Sequence, residues 1–346
     1  MTYRISQFFG VAVTAALVLG THTQFASASD NRIALVPPGP HPYFLAWEKA
    51  AKDAQADFGI ASVDFRVPSE RTLNRQMELI ESLASQGYTG FALSPGDPVG
   101  VNSVLQELKS SGIPSIAIGA CPAEPSAAAL CLSTDVFGST YDETKVLINA
   151  MGGKGNIVHL AGLLVDPNAR MRMDAVEKAI SETNGAVKLI QTIADTDNEE
   201  KADQKINALL GARKDQIDGI VASGYVQSTV AAKSLRNLGD KRIKLVGVAT
   251  DKIMIEGIRD GFVVGTVGLN AYAEGYAGAY ILDQLAGGKC TIKAGAPFLT
   301  TPTSTHFVDS RPVFITSANV DNYMKGLTDN AKDITATFKS EFLNCP

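Results

Sequence analysis

Two stretches of this chain read alike at a distance of 129 residues: GFALS at 90–94 and GIVAS at 219–223. The same order recurs around each. IALV at 33–36 is matched by IVHL at 157–160, and IPSIAIG at 113–119 by IKLVGVA at 243–249. Segments of helical period lie between the runs: Phe44, Trp47, Ala51, Ala54 and Phe58 share one face, and Leu73, Met77, Ile80 and Ala84 another. Apolar runs of strand length that alternate with amphipathic helices call for parallel strands covered by helices. The repeat therefore predicts an α/β protein of two similar open parallel-sheet lobes, rather than one continuous sheet.

Size agrees, because 346 residues exceed what one core comfortably holds. The first 28 residues belong to neither lobe. Arg4 and no acid precede a short apolar run, GVAVTAALVLG, and small residues end at Ala26-Ser27-Ala28. That is the layout of a secretory signal peptide cleaved after Ala28. The run is about half the roughly 20 residues that a membrane span needs. Removing it takes the formal charge from −5 to −6, and a mildly acidic exported chain with no basic stripe does not attract nucleic acid.

Export to an oxidising compartment makes the cysteines expected partners in disulfides. Cys121, Cys131, Cys290 and Cys345 allow three pairings. Cys121 and Cys131 flank the Pro/Ala loop ACPAEPSAAALC, which a local bridge would close, leaving Cys345 to tie the tail to Cys290. A metal site is the rival, but no CxxC pair or nearby histidine supports one.

If the lobes face each other through the carboxyl ends of their strands, the loops after matching strands become opposite walls of a cleft. PPGPHPYF follows the first strand of lobe one, and GLLVDPNARMR its counterpart in lobe two. Four prolines stiffen the first loop, three ahead of His41 and the fourth, Pro42, ahead of Tyr43 and Phe44. Phe44 lies on an apolar face with Trp47, whereas Tyr43 precedes the helix and is expected to face the cleft. Aromatic faces suit the C–H surface of a sugar, and Arg172 offers several donors to its hydroxyls; Arg170 competes for that role. GGKG at 152–155 precedes a strand instead of following one, so it reads as a turn and not a phosphate loop. His159 sits in a buried-looking strand. No serine lies in a G-x-S-x-G elbow, and no catalytic constellation is visible.

These residues resemble the periplasmic sugar-binding proteins of ABC importers, the type I ribose-binding-like family. The resemblance rests on IALV…HPYF, SPGDPVG at 94–100, IPSIAIG, ARMRMDAV at 169–176, GIVASGY and LVGVATD, and covers the mature chain. It implies two α/β lobes joined by three crossing strands, with the ligand enclosed when the lobes close. It also implies a monomer without cofactor or catalysis that serves a membrane permease. The implied lobes are 30–134 plus 269–302, and 135–268 plus 303–346. Position by position, His41 falls on a polar contact, Tyr43 and Phe44 on the aromatic pair that packs against sugar, and Arg172 on a ligand-binding arginine. Asp97, Tyr225, Asp251 and Asn270 complete the expected ligand set. The chain departs from the family pattern at Gly119-Ala120, Gly224-Tyr225, Ala249 and Leu269, so the particular sugar or polyol is open. Two other classes share the scaffold: a receptor subunit for chemotaxis or signalling, and a secreted enzyme.

Overall fold

The computed structural model describes residues 29–346. The signal-peptide expectation concerns residues 1–28 and lies outside the described residues.

Lobe one begins with β1 (Ser29–Val36), α1 (Ala46–Phe58), β2 (Ile60–Phe65), α2 (Leu73–Ser85) and β3 (Gly90–Leu93). It continues with α3 (Asn102–Ser110), β4 (Ser115–Ile118) and β5 (Cys131–Ser133). The chain then crosses to lobe two: α4 (Val136–Ala150), β6 (Gly155–Leu160), α5 (Pro167–Ser181), β7 (Val187–Ile193) and α6 (Glu199–Arg213). After these come β8 (Gly219–Ala222), α7 (Tyr225–Leu238), β9 (Lys244–Gly247), α8 (Lys252–Arg259) and β10 (Gly265–Gly268). It returns through α9 (Ala271–Leu285), β11 (Thr291–Ile292), β12 (Leu299–Thr301) and β13 (Ser304–Asp309). The last elements are β14 (Val313–Ile315), α10 (Tyr323–Thr337) and β15 (Leu343–Asn344).

The repeat in the sequence is a repeat in topology. Strand order is β2-β1-β3-β4-β5-β13-β12 in one sheet and β7-β6-β8-β9-β10-β14 in the other. All pairings among β1–β5 and among β6–β10 are parallel. Ile33–Val36, β3, β4 and β8 are buried at every residue, as parallel strands covered on both faces must be. In lobe one Trp47 of α1 packs over β1, and α9 covers the same face. Gly152 and Gly153, both at positive φ, turn the chain from α4 into β6, so GGKG is a turn.

Three crossovers join the lobes, at 134–135, 269–270 and 310–312, and hydrogen bonds tie them together. Thr134 Oγ1 and Ser310 Oγ lie 2.8 Å apart. Asn270 Nδ2 donates to the carbonyls of Leu327 at 3.0 Å and Arg311 at 3.4 Å.

The lobe boundary differs from expectation after residue 302. β13 pairs with β5 in the first sheet, so the third crossover follows residue 309. Ala331 and Ile334 of α10, then Phe338, Phe342 and Leu343, join the lobe-one core against α9. Cys345 pairs with Cys290 beside the β11–β15 ladder, holding the tail to lobe one. The second disulfide joins Cys121 to Cys131.

Candidate functional site

Both lobes reverse strand order at the same place: between β1 and β3 in one sheet, β6 and β8 in the other. The loops leaving such neighbouring strands diverge to opposite faces and open a crevice at their carboxyl ends. The two crevices face each other across a cleft of about 290 Å³, at the low end for small-molecule sites. PPGPHPYF and the loop after β3 form one wall; GLLVDPN and the start of α7 form the other. Gln76 of α2, fully buried, fixes the lobe-one loops to each other. Its Nε2 donates to Pro37 O and Ser94 O, and its Oε1 accepts from Gly96 N.

On the lobe-one wall, His41 caps the turn Pro42–Leu45, its Nδ1 accepting from Tyr43 N at 3.2 Å. Burial, then the charge of Arg71, hold its pKa below the ordinary histidine value, with Asp197 opposing. Phe44 is wedged between Tyr43 and Trp47, with ring centroids 5.1 and 4.8 Å away. The Tyr43 ring lines the cleft, but its hydroxyl donates to Glu274 Oε1 at 2.8 Å. Burial pushes the Glu274 carboxyl up to about 8, against hydrogen bonding by Tyr43 and the pull of the Trp47 indole. The indole N–H itself does not reach hydrogen-bond geometry.

On the lobe-two wall, Asp166 caps α5 by accepting from Asn168 N, which aims the first turn of that helix at the cleft. Arg172 lies one turn further on. Arg170 donates Nε–H to Leu164 O at 2.8 Å and is exposed. Arg172 lines the cleft half-buried, and its positive charge acts on three buried groups: Tyr43, Glu143 and His159. Burial and then Arg172 bring His159 down to about 4, so its ring is neutral, with Nε2 2.7 Å from Ser223 Oγ. His159 is a satisfied core residue. Tyr225 opens α7 and meets His41 across the cleft, edge to face at 6.3 Å. Burial, then Asp251, push its hydroxyl up to about 12.

Five of the eight expected contact residues thus line one cleft: His41, Tyr43, Phe44, Arg172 and Tyr225. The other three have local structural tasks. Asp97 closes a tight turn, Oδ1 accepting from Val99 N and Gly100 N. Asp251 caps α8 through Ile253 N and Met254 N and takes the Thr229 hydroxyl. Asn270 caps α9 through Ala273 N and donates to the carbonyls of Arg311 in the third crossover and Leu327 in α10. In each case the carboxylate or amide answers backbone groups that a turn or helix end leaves open.

Sequence reasoning missed Arg71, Asp197 and Gln227, which line the cleft, and Glu143 and Glu274 behind it. Asp197 and Arg71 sit in loops without periodic signal. Gln227 and Glu274 stand three and four residues into helices, and both fill space vacated by a glycine. A Cβ on Gly224 would lie 2.3 Å from Gln227 Nε2, and one on Gly119 would lie 3.3 Å from Glu274 Oε2. Gly119 also has φ +76°, a conformation that favours glycine. At two of the departures from the family pattern, Gly119 and Gly224, a polar side chain fills the space beside the glycine. Gln227 is fully buried, and both its amide atoms lack a protein partner, as do both Glu143 oxygens and Glu274 Oε2.

The fold is thus two similar lobes joined by three crossovers, with a polar and aromatic cleft between them. A sequence model of the periplasmic binding protein domain matches residues 33–290. The chain belongs to the periplasmic binding protein family, with the type I, ribose-binding-like fold. It is 25% identical over 217 residues to a xylitol-binding protein of Mycolicibacterium smegmatis, covering 63% of this chain and 62% of that one, less than two thirds of its length. A D-apiose import binding protein of Paraburkholderia graminis is 24% identical over 68% of this chain and 75% of its own. The structure of an ABC transporter solute-binding protein from Burkholderia graminis in complex with D-arabinose superposes with a TM-score of 0.74. It is 20% identical and covers 86% of this chain and 98% of that one. These relatives are binding proteins. Among the described residues, no helix is long and apolar enough to cross a membrane.

Proposed function

We propose that this protein captures a small sugar or sugar-like polyol in the interlobe cleft and delivers it, by hinge closure, to the permease of an ABC importer. The observation that carries this reading is the convergence of matching loops from two similar lobes on one cleft. His41, Tyr43 and Phe44 stand on one wall, Arg172 and Tyr225 on the other. Ring faces pack against the C–H surface of the ligand, while the arginine and the buried amide of Gln227 take its oxygens. Binding then bridges the walls and favours the closed state, because only there are both sets of contacts made. The reading includes export, with the mature chain starting near Ser29, action in the periplasm as a monomer, and no catalysis.

A thermal-shift screen of the mature protein against sugars and polyols tests capture. A ligand at 100 times its Kd stabilises by about 2.7 kcal/mol. Small-angle scattering with the best hit should show a more compact molecule. Deleting the gene in the native host should abolish uptake of that ligand. A panel without any stabilising member, or unchanged uptake, sinks the reading.

A further inference from the structure

The lobe-two wall carries a corner whose polar groups are mostly donors without a partner. The α7 N-terminus opens into the cleft at Gly224 and Tyr225, and Gly224 supplies no side-chain cap. The amide of Gln227, fully buried and without a protein partner, lies over that helix end. Arg172 reaches the same corner electrostatically, because its charge acts on His159, whose ring is hydrogen-bonded to Ser223, next to the helix start.

The titratable groups that line the cleft are His41, Arg71, Arg172, Asp166 and Asp197, two arginines against two aspartates. Asp166 is committed to Asn168 N, and Asp197 to Leu163 N at 3.0 Å. Glu143 lies behind Arg172, but burial raises its pKa well above the ordinary carboxyl value despite the opposing arginine. Neither of its oxygens has a protein partner, so it forms no hydrogen-bonded ion pair with Arg172. No carboxylate among the described residues is ion-paired with Arg172, so closing the lobes on a neutral ligand would enclose a guanidinium without a direct countercharge, which is costly.

We infer that the ligand is a small polyol bearing one carboxylate, a sugar acid, with the carboxylate seated at the α7 N-terminus against Gln227 and Arg172. A helix N-terminus favours an anion through its free N–H groups and its dipole, and a guanidinium fork matches a carboxylate's two oxygens. With Asp166 and Asp197 balancing the two arginines of the lining, the cleft favours one negative charge over the two of a phosphate ester. This inference rests on the solute-binding reading and narrows it.

Calorimetric titration of the mature protein with D-xylonate and D-gluconate, against xylitol, D-arabinose, D-glucose and D-glucose 6-phosphate, tests it. At least one aldonate should bind tenfold or more tighter than any neutral compound, and more weakly as salt is raised. In Arg172→Met, shown to be folded by its melting curve, aldonate affinity should fall at least tenfold more than neutral-ligand affinity. Lys233→Ala, an exposed change on α7, should keep the preference. Equal or tighter binding of a neutral sugar, binding of the phosphate ester alone, or equal losses in Arg172→Met overturns the inference and leaves solute binding standing. Failure of the whole panel overturns both.

Discussion

The Tyr43 hydroxyl donates to the Glu274 carboxylate at 2.8 Å, across 231 residues of chain. One partner stands in the loop after the first strand and the other in the first turn of α9, just past the second hinge crossover. A cleft-lining ring is thereby fixed to the helix that returns from lobe two, so the aromatic wall is held from behind before any ligand arrives.

That carboxyl makes stability depend on pH. Burial lifts it from 4.5 to about 8 in the folded protein. Between those values the folded state holds a proton that the unfolded chain has released, so stability falls as pH rises through the window and levels off above it. Glu143 acts in the same direction. Glu274→Gln keeps an acceptor for Tyr43 but cannot ionise. Relative to the parent, it should gain about 1 kcal/mol or more between pH 5 and pH 8.5. Urea melts of both proteins at several pH values measure this; parallel curves would rule out Glu274 as a titrating group.

Arg172→Ala separates binding from folding. No hydrogen bond or ion pair to the described residues engages Arg172, so apo stability should change by less than about 0.5 kcal/mol. Losing a charged contact to an enclosed polar ligand costs roughly 1.5–3 kcal/mol, about 10- to 150-fold in affinity. Calorimetry and thermal melts read the two quantities. A variant that unfolds, or binds like the parent, shows that Arg172 does not face the ligand.

Gly224 and Gln227 make a linked pair. Gly224 has an extended backbone, φ −158°, so alanine there is unstrained but its Cβ meets the Gln227 amide. Gly224→Ala should push that amide off the helix end and weaken ligand binding severalfold, with the melting temperature nearly unchanged. Gln227→Leu should also weaken binding. It should leave the apo protein as stable or more so, because a buried amide without partners is removed. Titration and melting of both variants check the pair. Unaltered affinity in both would place the ligand elsewhere in the cleft.

Non-reducing peptide mapping should recover Cys121 joined to Cys131 and Cys290 joined to Cys345. The bridges span 10 and 55 residues, so loop entropy gives about 3 kcal/mol to the first and about 4 to the second. Cys345→Ser should therefore destabilise more than Cys121→Ser, and should free the α10 tail to faster amide exchange. The reverse order in denaturant melts would contradict that ranking.

What the sequence determined by itself was local or periodic. Alternating apolar runs and helical faces gave the α/β class, the two-lobe repeat and the strands around GFALS and GIVAS, since each signal lies within one element. His41, Tyr43, Phe44 and Arg172 could be placed on the cleft because they follow matching strands. Tyr225, Asp97, Asp251 and Asn270 were expected beside them from the family resemblance. Only the tertiary structure showed that nearby backbone N–H groups, and for Asn270 the carbonyls of Arg311 and Leu327, already hold Asp97, Asp251 and Asn270. It also decided where the third crossover falls, because β13 can pair with β5 only once both strands are in place. Gln227 and Glu274 were illegible for a related reason. A polar residue inside a helix has no sequence mark of function until folding removes its water and leaves its partners to come from the far wall.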